Sequence, residues 1–297
     1  METVNEMRKR TSIFPIVNNA LIGLMALVCA VPLLLLLMVS VTDEQSIEKY
    51  GYSFMPKEFS LDAYRHIFSS GGIIVNSYLV SIFITLAGTI AALVITAMAA
   101  YALSNKKVVY RDQWALFFYF TMLFNGGLVP WYLVNRTLHV FDNILALLIP
   151  SLMFSAFNMF LVRNYMKGLP EELRESAFMD GAGDITIAFR IYIPLSVPVL
   201  AAVALFYGLG YWNDWWNAIM LVSNRKLYPL QYMLFALQSS AQMLADLQSR
   251  GISSGITLPK ESLKMATVIV TIGPILLLYP FLQRYFIKGL IIGSVKG

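Results

Sequence analysis

Six long apolar runs alternate with polar segments along the chain, and this pattern predicts the architecture. The runs cover residues 20–41, 74–103, 114–134, 143–162, 195–222 and 265–283. A helix needs about 20 mostly apolar residues to cross the hydrocarbon core of a bilayer, and each run meets that length. The first run is longer than the apolar part of a signal peptide and lacks its small-residue cleavage pattern. We therefore predict six transmembrane helices, the first of them a retained anchor.

Three polar segments are too long for tight connections between helices. They cover residues 42–73, 164–193 and 223–264, and a glycine- and serine-rich stretch at 251–255 indicates a flexible tip. The chain accordingly divides into a tail with the first helix and its following loop at 1–73, a membrane core at 74–286, and a C-terminal tail at 287–297.

Composition excludes a soluble domain, and charge placement orients the helices. Apolar residues make up 58% of the 297 residues and charged residues only 13%, about half of the roughly 25% that soluble domains carry. Lysine and arginine are densest at 104–113 and enriched at both chain ends, and such segments face the cytoplasm. We expect both termini in the cytoplasm, with membrane topology rather than nucleic-acid binding accounting for the net charge of +5.

Cysteine and histidine are too scarce for metal or disulfide chemistry. Cys29 is the single cysteine, and there are two histidines. A disulfide framework and a cysteine-based zinc cage are thereby excluded. We expect no metal site on this chain.

The polar segment at 168–193 has the signals of two short helices joined by an elbow. Pro170 suits the first turn of a helix, and Gly181 and Gly183 are typical helix stops. Asp184 is placed to cap a second helix at 185–192, which ends before the next proline. Such a compact knob is suited to a groove on a soluble partner, although an amphipathic loop lying on the lipid surface is the simpler interpretation of these signals.

An aromatic and polar cluster stands in the fifth run. Sugars are recognised by aromatic faces together with polar groups that hold their hydroxyls, and an ionisable residue within a span usually faces a cavity or a partner. The alternative is an aromatic belt at the membrane interface. The candidate translocation-pathway residues are Trp212, Asn213, Asp214, Trp215, Trp216 and Asn217.

Several motifs together resemble one family along nearly the whole chain. The stretch from Glu175 to Ala182, with Phe189 and Pro194 after it, resembles the EAA motif of ABC importer permeases. Its form is similar to the carbohydrate-uptake group and to the second permease of maltose-type systems. The C-terminus at 283–297 and the segment 211–217 resemble the same group, and 124–130 resembles the subgroup that imports complex oligosaccharides, including uronide and alginate-type fragments. Ser176 and Ser294 depart from the usual alanines but remain small.

The resemblance implies an all-α integral membrane protein with the type I ABC importer permease fold, cytoplasmic coupling helices and no enzymatic activity. It would lie in a bacterial cytoplasmic membrane and import a carbohydrate, with an oligosaccharide expected. The implied partners are a second homologous permease, an ABC ATPase dimer, an extracytoplasmic solute-binding protein, the carbohydrate and the lipid bilayer. Residues implied in ATPase coupling are Glu175, Ser176, Ala177, Asp180, Gly181, Ala182, Phe189 and Pro194. No Walker motif occurs in the chain, so we expect no cofactor here and ATP with Mg on the separate ATPase.

Two other functional classes stay open at this point. An ion-coupled sugar transporter would normally show repeated halves with discontinuous helices, and no clear repeat is visible. The residues at 181–184 match the G-x-G-D string of intramembrane aspartyl proteases, but they stand in a polar segment without a partner aspartate in a neighbouring apolar run.

Overall fold

The computed structural model describes residues 13–69, 72–150, 152–249 and 261–291, and the regular structure in these ranges is helical. The predicted tip at 251–255 and the end of the C-terminal tail at 292–297 lie outside the described residues. The helices are α1 (Ile13–Ser40), α2 (Glu44–Tyr50), α3 (Asp62–Ser69), α4 (Ile73–Ser104), α5 (Arg111–Leu123), α6 (Leu128–Thr137), α7 (Leu145–Leu148), α8 (Ala156–Lys167), α9 (Glu172–Met179), α10 (Asp184–Ile187), a π-helical turn (Ala188–Tyr192), α11 (Ile193–Leu195), α12 (Val197–Trp212), α13 (Trp216–Leu221), α14 (Leu230–Ser249) and α15 (Glu261–Ile291).

Within the described ranges, two helices are long and apolar enough to cross a membrane on their own, which confirms the first two predicted spans. They are Val17–Ser40, within α1, and Ile73–Ser104, which is α4. Two bent pairs reach that length and apolarity only when each pair is counted as one span: α5 with α6, and Asp184–Leu195 with α12. The sixth run lies within α15, a helix of 31 residues. The total of six spans stays a prediction.

The third and fourth runs are broken, so the prediction of one continuous helix for each is wrong. α5 and α6 meet at a bend of 115°, because Gly127 has a φ of 85° and the Asn125 side chain accepts a hydrogen bond from the Gly127 N–H at 2.8 Å. This turn chemistry interrupts a helix even between apolar neighbours. In the fourth run, α7 ends just before Pro150, and α8 restarts after Ser155, whose side chain caps it by accepting from the Asn158 N–H.

The fifth run and the loop after it also differ from the prediction. α12 ends at Trp212, and three residues separate it from α13. The predicted loop at 223–264 contains α14, a helix of 20 residues. Leu230, at its start, is buried, and its N–H donates to Ser81 Oγ at 2.8 Å. Hydropathy alone missed α14 because its polar residues lower the average.

The chain forms two compact units, of which the first comprises the residues up to Ser69 together with Leu247–Val270. Within it, the Glu44 carboxylate accepts hydrogen bonds from the N–H groups of Glu261 and Ser262 at 2.8 and 3.0 Å. A carboxylate in this position satisfies the first free N–H groups of α15. Tyr52 Oη donates to Glu261 at 2.8 Å.

The second unit comprises Ser70–Asp246 with Thr271–Gly297, and its largest core cluster is built from α4, α8, α12 and the segment Ile187–Tyr192. Small residues line the buried side of α4, among them Ser81, Gly88, Ala92 and Thr96. Small residues allow membrane helices to approach closely and pack without a hydrophobic driving force. Thr96 Oγ1 also lies 2.7 Å from Tyr207 Oη, which joins α4 to α12 by a buried hydrogen bond.

Candidate functional site

A buried arginine fixes α9 to the end of α4. Arg174 exposes only 6% of its surface, and its Nη1 donates to Asn105 Oδ1. Glu171 adds a second tie, because its carboxylate accepts from Lys106 Nζ at 2.5 Å. This hydrogen bond and the charge of Lys106 hold the pKa of Glu171 below its ordinary value. The first arm of the predicted knob is therefore held by the chain just after a membrane span.

The elbow after α9 is a Schellman motif. The N–H of Gly181 donates to the Phe178 carbonyl, and the N–H of Ala182 donates to the Ala177 carbonyl, both at 3.0 Å. Gly181 has a φ of 82°, a conformation that costs a residue with a Cβ about 1 kcal/mol or more. The prediction of Gly181 as a helix stop is confirmed. For Gly183 the prediction is wrong, because this residue is extended and stands directly before α10.

The second arm runs without interruption from Asp184 to Leu195 through a π-helical turn. The predicted end at residue 192 is wrong, because Pro194 stands in the first turn of α11, directly after the π-helical turn. The predicted cap by Asp184 is also wrong. Its Oδ1 accepts from Tyr101 Oη at 3.2 Å, which ties the second arm to α4 instead of closing the helix end.

The two arms divide into an inner and an outer face. Ile187 and Ala188 are fully buried in the core beside Tyr192. Of the predicted coupling residues, Ala177 and Ala182 are half-buried against that core, whereas Glu175, Ser176, Asp180, Gly181, Phe189 and Pro194 are exposed. Four apolar side chains lie exposed on the outer face, and we call this group the outer elbow face. Its members are Phe178 (62% exposed), Met179 (84%), Ile185 (70%) and Phe189 (47%).

Half of the predicted pathway cluster builds the junction between α12 and α13. Asp214 is buried and accepts from the N–H and the Nδ2 of Asn217 at 3.1 and 2.9 Å. Asn217 Nδ2 also donates to the Pro150 carbonyl at 3.0 Å, and Trp212 Nε1 donates to the Thr271 carbonyl at 3.1 Å. These bonds satisfy several polar groups of a broken helix, but Asn217 Oδ1 has no hydrogen-bond partner among the described residues.

The other members of the cluster are more accessible. Trp216 is 41% exposed, and Asn213 is exposed with its side chain bonded to the Leu209 carbonyl at 2.9 Å. Trp215 is half-buried and stacks on Phe235 with 4.5 Å between ring centroids. The role of the cluster in translocation stays a prediction, and Trp216 and Asn213 are its accessible members.

Three residues that position the knob were not found by sequence reasoning. In the sequence, Arg174 is only one of many positive charges, and nothing near Asn105 or Tyr101 indicates a structural role. Asn105 bonds to Arg174, 69 residues away, and Tyr101 bonds to Asp184, 83 residues away. The one local hint was the spacing of Glu171 and Arg174, three residues apart on one helix, which favours an ion pair.

Comparison with known proteins gives this geometry its context. Residues 108–292 match the model of the family described as the binding-protein-dependent transport system inner membrane component. The chain belongs to this family. The chain is therefore a transport permease and an inner membrane component. As expected, it has the type I permease fold and is not an enzyme.

Similar proteins match this permease over almost its full length. The polygalacturonan/rhamnogalacturonan transport system permease protein YtcP of Bacillus subtilis is 36% identical, over 97% of this chain and 100% of YtcP. The protein LplC of the same organism is 36% identical over 97% of each chain. A chain in the crystal structure of a bacterial ABC transporter that imports the acidic polysaccharide alginate superposes with a TM-score of 0.81, at 30% identity, over 94% of this permease and 98% of that chain. These similarities favour a binding-protein-dependent importer over an ion-coupled transporter.

Proposed function

We propose that this permease is one of two homologous subunits that line the path of an ABC importer for an oligosaccharide or a polysaccharide fragment of acidic type. The alginate importer and YtcP support this cargo class, because the first imports an acidic polysaccharide and the second is a permease for polygalacturonan and rhamnogalacturonan. An extracytoplasmic binding protein would deliver the cargo. A separate ATPase dimer would bind ATP and Mg, and the placement of lysine and arginine supports cytoplasmic termini.

The observation that carries the coupling role is the outer elbow face. Met179 and Ile185 are 84% and 70% exposed on a segment whose opposite side is buried and bonded to α4. Exposed apolar side chains on a rigidly held element are typical of a surface that docks another protein. Movement of the docked ATPase would reach α4 through Arg174 and Asp184, and reach α12 directly through α11.

Cysteine cross-linking tests this role in the assembled importer. With Cys29 replaced by serine, Met179→Cys should cross-link to a subunit that contains a Walker A sequence, identified by mass spectrometry, and the linked importer should lose transport. The matched control is Tyr50→Cys, at a position that is 50% exposed in the first unit. A working importer in which Met179→Cys gives no more linkage to that subunit than Tyr50→Cys contradicts the proposed coupling.

A further inference from the structure

A polar cavity of about 410 Å³ lies between the end of α4, the start of α5 and the start of α9. This volume is many times the roughly 30 Å³ of one water molecule. Four cationic side chains and one carboxylate line it: Lys106, Arg111, Lys167, Arg174 and Glu171.

The carboxylates near the cavity do not balance this charge. Glu171 is engaged by Lys106 at 2.5 Å. Asp112, beside the cavity, pairs with Arg111 at 3.2 Å, but its side chain is 76% exposed, so water screens the pair strongly. The cavity therefore keeps an excess of positive charge.

Lys167 contributes a cation with no close counter-ion. Its Nζ forms no hydrogen bond or ion pair among the described residues, and the carboxylate that attracts it, Asp112, is 76% exposed. The pKa of Lys167 lies below its ordinary value, first because burial disfavours the charged form and then because Arg163 and Arg111 repel it. An anion bound between these groups would relieve that repulsion.

Arg174 supplies the buried donor that points most directly to a ligand. Its side chain is 7% exposed, and its Nη2 lies 3.7 Å from Glu171 Oε1, which is an ion-pair distance but too long for a hydrogen bond. Within the part of the chain that the structure describes, this Nη2 has no hydrogen-bond partner. Leaving a buried donor unpaired is costly, and an anionic oxygen in the cavity would satisfy it.

The cavity lies where a membrane span ends, which places it near the expected level of the lipid headgroups. The span formed by α4 ends at Ser104, and the apolar helix α5 begins at Arg111, so the lysines between them stand at the membrane boundary. Basic pockets at the ends of membrane helices bind anionic headgroups. We propose that this cavity is a binding site for a phosphate group, supplied by the headgroup of an anionic phospholipid such as phosphatidylglycerol. Arg174 takes part both in this site and in the proposed coupling route, but the test below does not require an ATPase.

Lipid retention by the full-length chain tests the site. The chain is reconstituted in nanodiscs of phosphatidylcholine with a minor fraction of phosphatidylglycerol. The protein is then released from the discs, and the phosphatidylglycerol molecules that stay bound to it are counted by native mass spectrometry. Lys167→Gln, at an exposed position, should weaken phosphatidylglycerol retention about fivefold, the equivalent of about 1 kcal/mol for one basic residue at an anionic surface. Lys226→Gln is the matched control, because it removes the same charge from an exposed lysine that does not line the cavity.

A second measurement separates the two sources of phosphate. Inorganic phosphate is titrated against wild type and both variants in discs of phosphatidylcholine alone, and the thermal unfolding midpoint is followed. Selective loss of phosphatidylglycerol by Lys167→Gln supports a lipid headgroup. Stabilisation by inorganic phosphate that Lys167→Gln loses, without preferential lipid retention, supports the phosphate site with a soluble ligand. The proposal is overturned when neither response occurs, or when Lys226→Gln and Lys167→Gln respond alike.

Discussion

Replacing Gly88 by alanine should break a close contact between α4 and α12. A Cβ at this position would lie 2.6 Å from both Cε atoms of Tyr211 and closer still to its Cζ. Tyr211 has no free space to retreat, because it is fully buried and its Oη donates to the Leu148 carbonyl at 2.8 Å. Either the helices separate or the tyrosine loses that hydrogen bond.

Two opposing effects set the size of the change. Overpacking of a well-filled core costs about 1–3 kcal/mol, and the lost Tyr211 hydrogen bond adds about 0.6 kcal/mol, the mean for such bonds in a membrane protein. The better helix propensity of alanine returns about 0.5–1 kcal/mol. The clash outweighs the gain, and we expect Gly88→Ala to lower the free energy of unfolding by about 2 kcal/mol.

Gly208→Ala is the matched control on the facing helix. A Cβ there meets only Thr89 Oγ1, at 3.6 Å, which is an ordinary contact. This variant has the same gain in helix propensity without the clash, so its stability should equal or exceed that of wild type. Both variants are compared by titration with dodecyl sulfate in mixed micelles, with tryptophan fluorescence as the unfolding signal.

A double-mutant cycle isolates the contact. In a Tyr211→Ala background the added methyl group of Gly88→Ala enters space that the ring has left, so it should cost little. The two substitutions should therefore be non-additive by about 1–2 kcal/mol. Equal stability of Gly88→Ala and Gly208→Ala, or additivity in the cycle, would show that the close approach of Gly88 and Tyr211 does not limit the packing of these helices.

Three further predictions concern the knob and the tryptophan cluster. The Lys106–Glu171 pair should stabilise the fold fully at pH values above 4.5, the ordinary pKa of Glu171, and this stabilisation should disappear as the pH falls through the lowered pKa of the folded state. Lys106→Met should remove this pH-dependent stabilisation, which is measured from unfolding midpoints across acidic pH. Gly181→Ala should reduce transport-coupled ATPase activity because its φ is 82°, whereas Gly181→Asn, which tolerates that conformation better, should retain more of it; equal activities would contradict the backbone argument. Trp216→Ala should reduce sugar uptake with little change in stability, whereas Trp212→Ala, which removes a buried hydrogen bond, should lower the unfolding midpoint. Unchanged uptake by Trp216→Ala would contradict a role of Trp216 in the pathway.

Elements that depend on one local signal are predicted correctly by the sequence. The spans in α1 and α4 follow from continuous apolar runs, in which the isolated Gly23, Pro32 and Gly88 do not interrupt the helix. Gly181 ends α9 because the Schellman motif uses carbonyls within the same helix. Both cases depend on residues close together in the chain, so the composition of a short window contains the required information.

The sequence misleads where averaging conceals a competing signal. The third run was predicted as one helix because its mean hydropathy is high, although Asn125 and Gly127 form a turn inside it. Pro194 predicts a helix end before it, but the structure places this proline in the first turn of α11, directly after a π-helical turn that the sequence does not signal.

The amino-acid sequence by itself determined the membrane class, the family and the position of the knob between the fourth and fifth apolar runs, because apolar length, turn residues and motif spacing are local properties of the chain. Only the tertiary structure decided which knob residues face inward and which form the outer elbow face. It also decided that Asp214 bonds to Asn217 and that Arg174 lines a cationic cavity. The decisive partners of Arg174 and Asp184, Asn105 and Tyr101, are 69 and 83 residues distant in the chain, and their proximity arises from the packing of α4 against the rest of its unit rather than from any local pattern.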